Sequence, residues 1–281
     1  MLKHLFSKFY LGVFLLSTLT FTACEPASTK DDPAPAEEPA PTEEPTPIEN
    51  PAARTVTGIV VDAQGKPLAG AKVRIENDFF YYDITTTAQG KYTSPSLPAG
   101  GFKALAWATI SYKGQNYTLR MGMPQSSDYD YIDPKNGIVR NFKLQISGRI
   151  PDRDGEYFGG TLEFMNGTGS IFDERMNPGD QVYITLNPTG PLLDGTIGKK
   201  IEKSFTIRSG NDSYLLADIP TGEYELSAVR VTPEGHQEQV LVGTFSKQWE
   251  AALINFQPGS YGVGTYASGL ARLSLYLNLK R

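Results

Sequence analysis

The sequence predicts an all-β chain: two tandem β-sandwich domains behind an exported N-terminal segment that does not fold. Three observations carry that reading. Apolar runs are short and partly alternating, as half-buried strands require. They are cut repeatedly by turn formers, among 28 Gly and 20 Pro in 281 residues. One turn-and-strand fragment also occurs twice, far apart in the chain. With 15 Tyr and 14 Phe, the composition favours pleated, half-buried surfaces over long helices. Length allows two modest domains, and each is large enough to bury a core without covalent staples.

Residues 1–23 have the layout of a secretory signal. Lys3, His4 and Lys8 precede an uncharged run from Phe9 to Thr22, and small Ala23 follows. That run is shorter than the roughly 20 apolar residues of a permanent membrane span. Phe21-Thr22-Ala23-Cys24 resembles the lipobox of bacterial lipoproteins, with Phe21 where an aliphatic residue is usual. The resemblance implies cleavage before Cys24 and acylation of its thiol and amino group. Several acyl chains would hold a soluble domain on a bilayer. The other reading is an ordinary cleaved signal whose cysteine is incidental.

From residue 24 to 53 the chain alternates proline with acidic pairs and has almost no large apolar side chain. Such a segment cannot offset its ordering entropy, so an extended, disordered stalk is expected. Acidic residues soon after an acylated cysteine also resemble a surface-export signal of some Gram-negative lipoproteins. The expected location is the cell envelope, lipid-anchored through Cys24, at an outer membrane and exposed at the surface.

The first folded region is read as residues 54–145. Val56–Val61 and Ala71–Ile75 are two strands around a loop built by Asp62, Gly65, Pro67 and Gly70. Val73 and Ile75 alternate with Lys72 and Arg74, so one face is apolar. Gly90 and the Pro98–Gly101 cluster then punctuate strands bearing Tyr92, Phe102, Ala104 and Ala106. These positions, with Gly58, Leu68, Thr86, Leu97, Ala99 and Gly100, resemble the carboxypeptidase regulatory-like domain. That family implies a seven-stranded transthyretin-like and Ig-like sandwich acting as an accessory module, and it brings no catalytic residue to this chain.

Residues 146–281 are read as a second, divergent sandwich. Its opening Ile146–Ile150 echoes Val56–Val60. More strongly, Asp218–Val229 aligns with Ser96–Trp107, matching Pro98 with Pro220, Gly100 with Gly222 and Phe102 with Tyr224. Both fragments need a tight turn before a strand, and Pro-x-Gly supplies one. Leu273, Leu275, Leu277 and Leu279 alternate along an expected C-terminal strand.

Function is less legible. A formal net charge of −5 and the lack of a basic cluster argue against nucleic acid as a partner. Cys24 has no partner cysteine, and after cleavage His236 is the only histidine, so neither a thiolate metal site nor a histidine-rich one is expected. No cofactor is expected either, since phosphate-binding and dinucleotide motifs are absent. Asp152, Asp154 and Glu156 faintly match the start of a calcium loop, and Asp128, Asp130 and Asp133 cluster in another; polar turns explain both.

Aromatic residues supply the candidate binding surface: Phe79, Phe80, Tyr81 and Tyr82 in succession, with Tyr129 and Tyr131 further on. On a strand, two of the first four would face the core and two would face away. Exposed rings would stack on sugars or peptide side chains; otherwise they pack beneath a loop or a neighbouring domain. The expected function is a noncatalytic scaffold or binding module, with a cell-surface glycan or protein as partner beside the bilayer. The alternatives are a glycan-binding accessory protein using the aromatic loops, and an enzyme with a carboxylate site in the second module.

Overall fold

The computed structural model describes residues 51–168, 174–210, 212–259 and 266–280. The expected signal segment, Cys24 and the expected stalk up to residue 50 lie outside the described residues.

The fold is all-β. Strands β1 (Val56–Val61), β2 (Lys72–Glu76), β3 (Tyr81–Thr85), β4 (Lys91–Thr93), β5 (Lys103–Tyr112), β6 (Gln115–Arg120), β7 (Ile138–Val139) and β8 (Phe142–Lys143) occupy the first half. The second half holds β9 (Gly160–Asn166), β10 (Gln181–Pro188), β11 (Ile201–Thr206), β12 (Ser213–Ile219), β13 (Glu223–Val231) and β14 (Gln237–Gly243), then β15 (Gln248–Trp249), β16 (Ala251–Asn255) and β17 (Leu273–Leu279). One sheet runs β4-β1-β7 with β8 also on β1, and a second runs β3-β2-β5-β6. Their inner faces meet over Val56, Val60, Val73, Ile75, Ala104, Ala106 and Tyr117, all buried. The alternation of β2 is therefore the buried face that the sequence predicts.

The loop between β1 and β2 forms for local reasons. Asp62 Oδ1 accepts from the backbone N–H of Gln64 and of Lys66 at 2.9 and 2.8 Å, turning the chain back on itself. Gly65 completes the turn at φ +89, a conformation that costs a side chain dearly. Thr86 then closes the loop's far side: its hydroxyl donates to the Leu68 carbonyl and accepts from Ala71 N–H.

The second half is one continuous nine-stranded sheet, ordered β11-β10-β13-β14-β17-β9-β12, with β15 on β14 and β16 on β13. It forks at β13, where Glu223–Ser227 pair with β16 and Ala228–Val231 with β14. The sheet then curls back, because β11 and β12 stand at opposite ends of the strand order yet Phe205 stacks on Tyr214 with ring centroids 4.5 Å apart. Leu275 and Leu277 bury their side chains as the C-terminal alternation requires. That strand is internal, parallel to β9 and antiparallel to β14.

The repeated Pro-x-Gly fragment is also structural. Phe102 and Tyr224 are both fully buried, at the entries to β5 and β13. The two glycines serve different needs: Gly100 sits at φ +137 in open space, whereas a Cβ on Gly222 would lie 2.5 Å from Leu192 Cδ2. The weaker echo fails. Ile146–Ile150 is a bend with Gly148 at φ +100, not a strand, while Gly58 is extended within β1 opposite Tyr92.

The described residues belong to one compact unit, and the buried residues of both halves join one hydrophobic cluster. Polar contacts reinforce the seam. The Tyr117 hydroxyl donates to the Phe256 carbonyl at 2.7 Å in the interior, and Tyr112 donates to Pro191 O while accepting from Glu223 N–H.

Candidate functional site

The β2–β3 hairpin builds an aromatic platform at the edge of its sheet. Its turn is pinned by Asn77, whose Oδ1 accepts from the N–H groups of Phe79 and Phe80 at 3.0 Å each. The Asn77 N–H in turn donates to Phe80 O. So fixed, the turn leaves Phe79 88% exposed, and Tyr81 at the start of edge strand β3 is 59% exposed. Phe80 folds back toward Phe102 and Tyr82, with ring centroids 6.1 Å from each. Tyr82 is half-buried against the core. Phe79 and Tyr81 thus project outward, Phe80 leans on Phe102 yet stays 41% exposed, and only Tyr82 is half-buried, an arrangement set by the turn and not by strand alternation alone.

Charged groups flank the outward rings. The Arg74 guanidinium lies 4.0 Å from the Tyr81 ring centroid and donates to both Asp83 oxygens at 2.7 and 2.8 Å. That pairing holds the Asp83 carboxyl below its usual range and raises Arg74. Tyr131, 54% exposed, donates its hydroxyl to Asp78 Oδ1 at 3.1 Å, with Lys103 Nζ 5.0 Å from its ring. The Asp78 carboxylate, by accepting that hydrogen bond, raises the phenol pKa and keeps Tyr131 a donor.

Tyr129 does not belong to this surface. It ends the 3-10 turn Ser126–Tyr129, is 5% exposed, and its hydroxyl accepts from Met123 N–H at 2.8 Å. Burial raises its pKa. The sequence pattern Asp-Tyr-Asp-Tyr hides this, because a 3-10 turn breaks strand parity between Tyr129 and Tyr131.

Several carboxylates of the acidic loops have partners within the chain. Asp154 pairs with Arg149, Asp128 lies 3.5 Å from Arg140, and Asp133 accepts from Lys135 N–H. Among the described residues no group of three His, Cys, Asp or Glu side chains is placed to hold a metal ion. His236 is exposed in the loop before β14.

Asp152 belongs to a buried hub that sequence reasoning missed. Arg120, at the end of β6, is 1% exposed, and its Nη2 donates to both Asp152 oxygens at 2.8 and 2.9 Å. Its Nη1 donates to the Tyr266 carbonyl at 2.6 Å, and its backbone N–H to Ser268 O at 3.0 Å. One residue thereby fastens both the 150–157 turn and the 266–272 segment. The Tyr266 hydroxyl donates to Glu76 at the end of β2. Burial and this carboxylate raise the Tyr266 pKa well beyond the ordinary phenol range.

The family match falls in the first half. Residues 55–130 match the carboxypeptidase regulatory-like domain. Its sandwich holds the platform-bearing hairpin. No curated protein matches the sequence. Among solved structures, the Bacillus anthracis TIE protein aligns over 81% of this chain at 12% identity and a TM-score of 0.34. The chain spans about a third of that protein, 34% of its length. A DUF3823 family protein from Bacteroides ovatus aligns over 72% of this chain and 98% of its own, at 11% identity and a TM-score of 0.23. The Streptococcal ancillary pilin aligns over 81% of this chain and 62% of its own, at 13% identity and a TM-score of 0.25. Among the described residues no helix is long and apolar enough to cross a membrane.

Proposed function

We propose that the chain is a noncatalytic binding module of the bacterial cell envelope, anchored by acylated Cys24 on a proline-rich stalk and engaging a cell-surface glycan or protein. The observation that carries this is the platform of Phe79, Tyr81 and Tyr131. Large exposed rings on a turn fixed by its own hydrogen bonds are already ordered for stacking, so little entropy is lost when a partner binds.

Phe79→Ala with Tyr81→Ala should leave thermal unfolding nearly unchanged, within about 0.5 kcal/mol as for other exposed sites, while abolishing capture of cell-surface material. Phe102→Ala, in the core beneath, should cost about 3–5 kcal/mol. A stable double variant that still captures as the parent does would overturn the platform's role.

The anchor is tested separately. Cys24→Ser should stop fatty-acid labelling and leave either uncleaved precursor or released protein on membrane fractionation. A variant that still incorporates label and partitions with membrane would rule out Cys24 as the attachment point.

A further inference from the structure

A cleft of about 590 Å³ lies between the 150–157 turn and the 266–272 segment. We propose that it is a second binding site, one that takes a sugar bearing a carboxylate, of the uronic-acid class. It adds to the binding-module reading without resting on it, because no platform residue lines the cleft.

Two opposite charges stand in the cleft unspent. Arg153 is exposed and, among the described residues, has no carboxylate within ion-pair distance; Glu156, three residues on, likewise has no cationic partner. Every neighbouring acid and base is matched: Asp152 by Arg120, Asp154 by Arg149, and Arg272 lies 3.6 Å from Glu163. A planar guanidinium open to the cleft suits a carboxylate, with two parallel N–H donors for two oxygens. An open carboxylate beside it accepts from ring hydroxyls.

The walls suit the rest of a sugar. Tyr157 and Tyr266 line the cleft, the Tyr266 ring carrying the Arg120 and Arg153 guanidiniums 5.8 and 5.9 Å from its centroid. Thr161 adds a hydroxyl, while the Ser268 hydroxyl accepts from Leu270 N–H. Sugars present apolar ring faces and a rim of hydroxyls, and both find partners here. The walls are also rigid. Arg120 holds the Tyr266 and Ser268 carbonyls and Asp152 from inside, Tyr266 is fixed to Glu76, and Ala271 N–H donates to Gln257 O.

The test is titration calorimetry on the full chain in detergent. The probes are tri-galacturonate, its carboxyl-reduced neutral counterpart and triglutamate. The parent should bind tri-galacturonate about tenfold tighter than the neutral sugar, the scale of one charge-assisted hydrogen-bonding group. Arg153→Gln, an exposed and fold-neutral change, should erase that preference while leaving residual binding of both sugars. Phe79→Ala with Tyr81→Ala should leave it intact. The proposal is overturned if neither sugar binds, if both bind equally to the parent, if the preference survives Arg153→Gln, or if triglutamate binds as well as the sugar. Absence of uronate binding alongside platform-dependent capture of cell-surface material would remove the cleft site and leave the proposed function standing.

Discussion

Arg120→Met will lower stability by about 3–5 kcal/mol, the cost of removing one partner of a buried ion pair. For a unit of this size the melting temperature should fall by roughly 10 °C. The loss is large because the substitution strands more than one group. Asp152, with only 7% of its side chain exposed, is left without a cationic partner among the described residues, and the Tyr266 carbonyl loses its donor at 2.6 Å. Arg120→Met combined with Asp152→Leu should recover part of the loss, since removing both charges spares the desolvation penalty. Chemical unfolding of the two singles and the double, read as a double-mutant cycle, checks this. A single-variant loss under about 1 kcal/mol, the size of an exposed pair, would mean that water reaches Asp152 and that the hub is not dry.

That hub marks where the sequence stops being readable. Strands announced themselves locally: Val73 and Ile75 alternate with charged neighbours, and the Pro-x-Gly turns precede buried Phe102 and Tyr224, because period and turn chemistry are properties of adjacent residues. The Arg120 hub is not local. Its partners lie 32 and 146 residues away, and nothing in the acidic turn at Asp152 distinguishes an arginine's partner from a solvated loop residue. The platform was half legible. Composition pointed to the four aromatic residues after Asp78, but only the Asn77 turn decides that Phe79 projects fully outward while Phe80, still 41% exposed, leans toward Phe102. Likewise, a glycine in an apolar stretch reads the same at 58 and at 148. It is an extended strand residue at the first and a bend at φ +100 at the second, since only at Gly58 does another strand approach.

Gly58→Ala should be the most damaging single-methyl change in the first half. A Cβ there would lie 1.8 Å from the Arg140 carbonyl oxygen and 2.8 Å from Tyr92 Cε1. The first is backbone, tied in place by Arg140 N–H donating to Thr57 O at 2.8 Å, so no rotamer relieves the clash. The same carbonyl accepts from the Tyr92 hydroxyl at 2.7 Å. Burial pushes the pKa of that phenol far above its ordinary value, so it remains a donor at any working pH. Alanine must therefore displace the carbonyl, costing about 1–3 kcal/mol for overpacking, and leave a buried hydroxyl unsatisfied for about 1–3 kcal/mol more. Tyr92→Phe alone should cost only about 1 kcal/mol. If the carbonyl is the shared link, Gly58→Ala will cost less in the Tyr92→Phe background than in the parent, because the hydrogen bond is already gone. Losses that add to within about 0.5 kcal/mol would show that the two sites are independent, and that strand β1 yields to the methyl without moving Arg140.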